Sequence, residues 1–446
     1  MTSTPGVAAV VMAGGLGTRM KSATPKHLHP LLGRRVVDWV IAAAKDAGAD
    51  PVVVVASPDT AEGYDGVEVA VQEKALGTGD AVRSARAALE GADGDVLVLN
   101  GDVPALTSEA VRALLDTHRR EGAAATVLSF EPPDPRAYGR IVRDGQGRLA
   151  RIVEAGDATP DELELREVNS GIYVFRAEKL WPVLERLEPQ NVQGELYVTD
   201  TLGLLVGDGD PVALHVAPDP VAAEGINTRA ELAAAAASLR DRINLEHMLA
   251  GVTIVDPQTT WIEPDVELEP DTTVHPFTVL RGRTRVARGA EIQPHVVAID
   301  AQIGPDAIVG PFCYLRPGTI LEARAKAGTF VEIKNSQIGE EAKVPHLSYI
   351  GDAEIGAGTN IGASNVTANF DHRPGEPKKR TKIGRNVRTA VDNTFVAPVE
   401  VGDDAWIAAG SVITEDVPPG SLAGFPPRQE TKEGYVYEKK HGERDD

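Results

Sequence analysis

The sequence predicts an α/β, Rossmann-like domain followed by an all-β, left-handed parallel β-helix built on hexapeptide repeats. Three observations point there. Short β-rich runs alternate with helical patterns over residues 7–227, an alanine-rich helical stretch follows, and beyond Gly251 apolar residues recur at every sixth position. A chain of 446 residues has room for two or three full cores at ~150 residues each.

In the first part, Val7–Met12, Val52–Ala56, Val67–Val71, Val96–Asn100 and Ile172–Phe175 read as strands. Val36–Ala47 carries apolar residues at helical spacing, and Ser108–Glu121 opens on Ser108 as a helix N-cap. Alternating strands and helices argue for a doubly wound, mostly parallel sheet with ligand loops at the carboxyl ends of its strands. Ala230–Ala250, closed by Gly251, reads as a linker helix ~30 Å long at ~1.5 Å per residue. The expected division is 1–229, a linker over 230–251, and 252–446.

In the second part, Ile262, Leu268, Val274, Leu280, Val286 and Ile292 follow one another at six-residue steps. The ladder resumes at Ile303, Val309, Leu315 and Leu321, then Ile338, Val344 and Ile350, then Val401, Ile407 and Ile413. A six-residue period fits neither an α-helix nor a hairpin meander; it fits a coil in which each hexapeptide forms one side. With three hexapeptides per coil, residues 252–425 make about ten coils stacked ~4.8 Å apart. The repeat breaks at Lys326–Asn335 and at Phe370–Lys382, which read as extruded loops, the places where binding residues tend to sit.

Composition narrows the chemistry. Hydrophobic residues at 42% and charged residues at 25% are ordinary for a globular chain. A formal net charge of −21 argues against a nucleic-acid partner, so any phosphate site must be a local basic cluster. The single cysteine, Cys313, leaves no partner for a disulfide and too few thiolates for a zinc site. Met1–Ala9 lacks a basic signal segment and no apolar run reaches the ~18–20 residues of a membrane span, so the expected setting is cytoplasmic with no membrane partner.

Two motifs carry the first chemistry. Met12-Ala13-Gly14-Gly15-Leu16-Gly17-Thr18-Arg19-Met20 follows the first strand, so backbone N–H groups can approach phosphate oxygens, and Arg19 and Lys26 add cations. Such loops also serve plain turns, and no Gly-Lys-Ser/Thr closes this one as a Walker loop. Asn100-Gly101-Asp102-Val103-Pro104 ends a strand. A carboxylate there suits a magnesium ion bridging phosphates, and equally a turn or a helix cap; Asn227 offers a second oxygen ligand.

For the second chemistry the notable residue is His346 on the β-helix, accompanied by Arg316, Lys334, Tyr349 and Asn360 at or near successive coils. Transfer of an acyl group from a thioester to an amine needs a base for the ammonium proton, and neutral imidazole serves near pH 7, although a lone surface histidine is more often a bystander. Cys313 occupies the small-residue slot of a hexapeptide and should point inward, which favours direct transfer without an acyl-enzyme.

The order Ala-Gly-Gly-x-Gly-Thr-Arg-Met, Pro25-Lys26, Gln72 with Leu76-Gly77-Thr78-Gly79, Gly101-Asp102-Val103-Pro104, Tyr138-Gly139-Arg140, Glu154, Asn169-Ser170-Gly171 and Gly225-Ile226-Asn227 resembles the sugar-nucleotide pyrophosphorylases. Joined to a hexapeptide β-helix, nearly the whole chain resembles the bifunctional N-acetylglucosamine-1-phosphate uridylyltransferase and glucosamine-1-phosphate N-acetyltransferase family. That resemblance implies synthesis of UDP-N-acetylglucosamine, a cell-wall precursor, from UTP, N-acetylglucosamine 1-phosphate, glucosamine 1-phosphate and acetyl-CoA, with Mg2+ as cofactor. It implies that Met12, Ala13, Gly14, Gly15, Lys26, Asn100 and Gly101 surround the nucleotide, that Gln72, Gly77 and Thr78 read uracil, and that Gly139, Glu154 and Asn169 hold the sugar. Asp102 and Asn227 would hold magnesium, with Arg19 and Lys26 catalytic.

In the acetyl half the resemblance implies His346 as proton acceptor, Arg316, Lys334, Tyr349 and Asn360 around the amino sugar phosphate, and Ala363, Asn369, Phe370 and Ala409 beside acetyl-CoA. It also implies a homotrimer with acetyl sites between subunits, since one flat face cannot enclose both substrates. The sequence departs from the family pattern at Gly156, where a lysine is usual, at Phe370 for a tyrosine, at Val391 for a serine, and in a longer loop before Lys378-Lys379-Arg380. Lys378 and Arg428 are candidate cations for coenzyme A phosphates, and the charged tail Glu438–Asp446 has no assigned role. Two other readings stay open on sequence: a single-activity pyrophosphorylase whose β-helix is structural or regulatory, and a non-catalytic pyrophosphorylase-like scaffold.

Overall fold

The computed structural model describes residues 6–15, 17–135, 138–370, 373, 375–424 and 429–437; Arg428 and the tail over 438–446 lie outside the described residues. The chain forms two compact units, Met1–Leu239 and Arg240–Asp446.

In the first unit the main sheet runs in the order Val212–Val216, Ala125–Phe130, Val168–Arg176, Asp95–Asn100, Val7–Ala13, Val52–Ala56, Glu68–Val71. Neighbours are parallel except Val168–Arg176, which is antiparallel to both of its partners. The valine-rich central strands are buried on both faces, as parallel strands under two helical layers must be. Val11, Val54, Leu97 and Leu99 pack with Val37, Val40 and Leu114 on one side. Val10, Val53, Val96 and Val98 pack with Leu180, Leu184 and Leu202 on the other. The helix Ser108–Arg120 is capped one residue earlier than the sequence suggested: the Thr107 side chain, on extended backbone, accepts the Ala110 N–H at 3.1 Å, while Ser108 is already helical.

A hairpin, Arg140–Arg143 with Leu149–Val153, joins the sheet through Val168 opposite Arg140. It places Gly139 and Glu154 side by side at its open end, and the Asn169 N–H donates to the Gly139 carbonyl at 2.8 Å.

The second unit is a parallel β-helix whose coils lay their short strands into three sheets, so every third hexapeptide stacks in register. One ladder runs Ile262, Leu280, Ala298, Leu315, Ile333, Ile350; another runs Leu268, Val286, Ile303, Leu321, Ile338, Ile355. Of the ladder positions read from sequence, all but Leu268 are buried. The expected loop at Lys326–Asn335 is absent: Lys326–Thr329 and Glu332–Lys334 are strands in register with the coil below. The apparent break is a side one residue short, from Ile333 to Ile338, which the corner absorbs without extruding chain. The second break is an insertion: between Val366–Ala368 and Thr381–Ile383 the chain leaves the coil and returns.

The corners need left-handed backbone, and bulky residues rather than glycine supply much of it. Phe277, His295, Phe312, Phe330 and Leu347 have φ of 47–60° on one corner. The four rings stack with centroids 4.5–5.2 Å apart, so each aromatic supports the strained conformation of the next. The end of the solenoid is closed by residues 240–249, the last turns of a helix: Asn244 donates to the carbonyls of Pro257 (2.9 Å) and Thr260 (3.0 Å), and the Arg240 guanidinium lies over Trp261. No helix among the described residues is long and apolar enough to cross a membrane.

Candidate active sites

The first site lies at the carboxyl ends of the central strands. Val7–Ala13 delivers the glycine-rich loop and Asp95–Asn100 delivers Gly101 and Asp102. A Cβ on Gly101 would meet the Met12 carbonyl oxygen at 2.8 Å, so only glycine lets these two strand ends approach. Two adjoining cavities of about 340 and 280 Å³ share Met12, Lys26, Thr78, Asn100 and Asp102. The smaller is lined by Ala13, Gly14, Gly15, Gln72, Gly77 and Gly101. The larger is lined by Arg19, Gly139, Glu154, Asn169 and Asn227. Every residue expected at the nucleotide and sugar sites therefore borders one of these two cavities.

At the junction, the side-chain oxygen of Asn227 accepts from Arg19 and from Lys26, each at 3.0 Å, and the Lys26 ammonium also pairs with the Asp102 carboxylate. Two hard oxygens thus face the same point, the donor chemistry a divalent magnesium ion requires when phosphates and water supply its remaining ligands. Among the described residues no group of three or more His, Cys, Asp or Glu side chains could hold a metal alone, so such an ion would depend on the substrate. Burial raises the Glu154 carboxyl, Asp200 and Asp157 push the same way, and the Thr199 hydroxyl (3.3 Å) opposes them. His27 is pushed down to about 4, chiefly by burial, and is neutral beside Lys26.

On the β-helix, backbone hydrogen bonds place His346, Ala363, Val391 and Ala409 at one corner position of successive coils. The residue after each donates to the carbonyl of the one below: Ser364 to His346 (3.4 Å), Asp392 to Ala363 (2.9 Å), Gly410 to Val391 (2.9 Å). His346 is exposed at the foot of this column of small side chains. Arg316, Lys334 and Tyr349 lie on the adjoining face, in three consecutive coils. Arg316 pairs with Glu332 at 2.8 Å. Lys378 lies against Lys334, and its positive charge lowers the pKa of that ammonium; burial and Arg316 add to this and Asp352 opposes it. Asn369 meets the Tyr349 hydroxyl at 3.5 Å. Phe370 is exposed. Asn360 is set apart from this group: it bridges Lys343 and Arg388 at the start of the other face, ~10 Å along the strand from the His346 position. Cys313 is buried, and burial pushes its thiol up to about 12, so it is no acyl carrier.

Residues 9–198 match the MobA-like NTP transferase domain. Over nearly its whole length the chain is similar to proteins named bifunctional protein GlmU. The one from Streptomyces coelicolor is 48% identical, with 98% of this chain and 95% of that protein covered. Those from Trichlorobacter lovleyi and Thermobifida fusca are each 44% identical, covering 97% and 99% of this chain and 98% and 96% of theirs. The chain belongs to the GlmU family.

Within this GlmU-family chain several residues that support the sites were given no role by sequence reasoning. Asp80 and the Gly77 carbonyl accept from the Gln72 carboxamide at 3.0 and 3.1 Å. The Tyr138 hydroxyl accepts the Gly225 N–H at 3.2 Å, next to Asn227. The Tyr173 hydroxyl accepts from Asn169 at 2.7 Å. Glu231 accepts the N–H groups of Asn227 (2.6 Å) and Thr228 (3.0 Å) while Thr228 caps Glu231. The last was readable, because Thr228-x-x-Glu231 is a capping box. The others depend on tertiary contact and leave no spacing signal.

Proposed function

We propose that the chain makes UDP-N-acetylglucosamine in two steps, acetylating glucosamine 1-phosphate from acetyl-CoA on residues 252–446 and then transferring uridylyl from UTP on residues 1–229, with 230–251 as the linker. The observation that carries this reading is the convergence of Arg19 and Lys26 on Asn227, with Asp102 paired to the same Lys26, at the junction of two cavities in a chain of the GlmU family. Intact groups of this kind have no purpose in a scaffold, and His346 beside a cationic face has none in a purely structural β-helix.

In the uridylyl site, Gln72, Gly77 and Thr78 take the uracil, while Gly139, Glu154 and Asn169 take the sugar. Asp102 and Asn227 would hold magnesium, which supplies charge neutralisation and orientation of the phosphates when bound. A phosphate oxygen of N-acetylglucosamine 1-phosphate attacks the α-phosphorus in line, that P–O bond forms, the α–β bridge breaks and pyrophosphate leaves. The attacking oxygen is already ionised, so the chain supplies position and positive charge from Arg19 and Lys26 rather than a base.

In the acetyl site, Arg316, Lys334, Tyr349 and Asn360 surround the amino sugar phosphate and Ala363, Asn369, Phe370 and Ala409 border acetyl-CoA. His346 takes the proton as the amine attacks the thioester carbonyl, and the coenzyme leaves as its thiol. The separation of Asn360 and the openness of the column favour a homotrimer in which neighbouring subunits complete each site. The setting proposed is cytoplasmic.

The test is full-length protein incubated with glucosamine 1-phosphate, acetyl-CoA, UTP and magnesium, with free thiol and pyrophosphate assayed separately. Both should appear, pyrophosphate only when acetyl-CoA or N-acetylglucosamine 1-phosphate is present. Pyrophosphate alone from added N-acetylglucosamine 1-phosphate would leave a single-activity enzyme.

A further inference from the structure

Asp352 is a buried carboxylate on the corner between the Lys334–Tyr349 face and the next, with φ of 50°. Nothing in the two reactions above uses it. One of its oxygens accepts from the Asn335 carboxamide in the coil below at 2.5 Å, and the other accepts from the Asn369 carboxamide in the coil above. A carboxylate only accepts, so the nitrogen ends of both amides must face it. For Asn369, also buried, this directs the carboxamide oxygen away from Asp352.

The same corner closes the insertion. The Lys379 N–H donates to the Asn369 carbonyl at 3.1 Å, and the Thr381 N–H donates to the Asp352 carbonyl at 3.2 Å. The Asp352 N–H in turn donates to the Lys334 carbonyl at 3.0 Å. Lys378, which adjoins Lys334, is thereby carried on chain pinned at Asp352 and Asn369.

We propose that Asp352 is a positioning residue for acetyl transfer: its carboxylate sets the direction of the Asn369 carboxamide oxygen, at the corner whose backbone carbonyls hold the returning chain and its Lys378. This rests on the assignment of Asn369 to the acetyl-CoA side of the site. An asparagine at 352 could accept from only one of the two amides through its oxygen, and its own NH₂ would confront the other, so Asp352→Asn should release or rotate Asn369 while changing shape little.

Steady-state acetyl transfer by full-length Asp352→Asn, Asn369→Ala, the double variant and Asn335→Ala tests this. Displacement of a group by about 1 Å at a reacting centre costs on the order of 10²-fold, and Asp352→Asn should lose about 10- to 100-fold in kcat/KM for acetyl-CoA. Its uridylyl rate and circular-dichroism melt should stay near wild type. The double variant should be no worse than Asn369→Ala alone, because both act through one group. Multiplying losses, or a wild-type rate in Asp352→Asn, would overturn the proposal. A wild-type rate in Asn369→Ala with loss in Asp352→Asn would also overturn it, while acetyl transfer itself stood without Asn369. If Asp352→Asn melts early, Asn335→Ala decides. It removes the other donor to the same carboxylate and should acetylate normally; a loss equal to that of Asn369→Ala would make the corner network merely structural and sink the idea.

Discussion

Gln72 and Asp80 are joined side chain to side chain, the Gln72 carboxamide nitrogen donating to the Asp80 carboxylate at 3.0 Å. That bond fixes which end of the amide is left for a base, and so turns an adaptable side chain into a reader of one hydrogen-bond pattern. Asp80→Ala removes a charge-assisted bond of roughly 1.5–3 kcal/mol. Part of that should appear as a rise in KM for UTP on the order of tenfold, with narrowed preference for UTP over CTP. Initial rates with each nucleotide measure both, and unchanged values would remove Gln72 from base recognition.

Asp102→Ala should cost uridylyl transfer several kcal/mol of charge stabilisation, on the order of 10³-fold in rate. Acetyl transfer should stay near wild type. Paired assays on one preparation check this, and a joint fall in both activities would contradict two separate sites.

His346→Ala should lower acetyl transfer on the order of 10²–10⁴-fold, the usual value of a general base. Pyrophosphate release from UTP and N-acetylglucosamine 1-phosphate should not change. A fully active variant would pass the role to Tyr349.

Glu154 supplies a pH signature. Burial, then Asp200 and Asp157, hold its folded pKa above the unfolded value, so the native state binds the proton more tightly. Stability from this group is present below the unfolded pKa and falls as pH rises through the folded pKa. Glu154→Gln should therefore raise the melting temperature at neutral pH, with the gain vanishing in acid. The variant should also bind N-acetylglucosamine 1-phosphate more weakly at neutral pH. Equal melting curves at pH 4 and pH 7.5 for variant and wild type would refute the assignment.

The site on the β-helix is open in one chain, so light scattering should report about three times the 47.2 kDa chain mass. A monomer with undiminished acetyl transfer would exclude shared sites.

Much of this was legible in the sequence because the physics is periodic or local. Ile262 to Ile292 announce a coil since each must point inward, and Gly101-Asp102 announces a strand end since only glycine clears the Met12 carbonyl. What was hidden is what three dimensions add. The break read at Lys326–Asn335 looked like a loop because a one-residue shortfall, between Ile333 and Ile338, shifts the frame, although the corner simply tightens. Asp80 and Asp352 carry no motif, and their roles exist only once a helix or a neighbouring coil brings an amide to them. The cap moved from Ser108 to Thr107 because both residue types can cap, and extended backbone at Thr107 decides between them.

The stacking of coils has a consequence for how this protein can vary. Each coil leans only on the one below and the one above, and the coils from Thr253 to Cys313 contain none of the residues assigned to acetyl transfer. The height of the acetyl site along the solenoid is therefore quantised, in steps of ~4.8 Å. A lineage can add or lose a whole storey beneath Arg316 and leave the chemistry upstairs untouched, whereas a half-storey change would rotate every residue above it onto the wrong face.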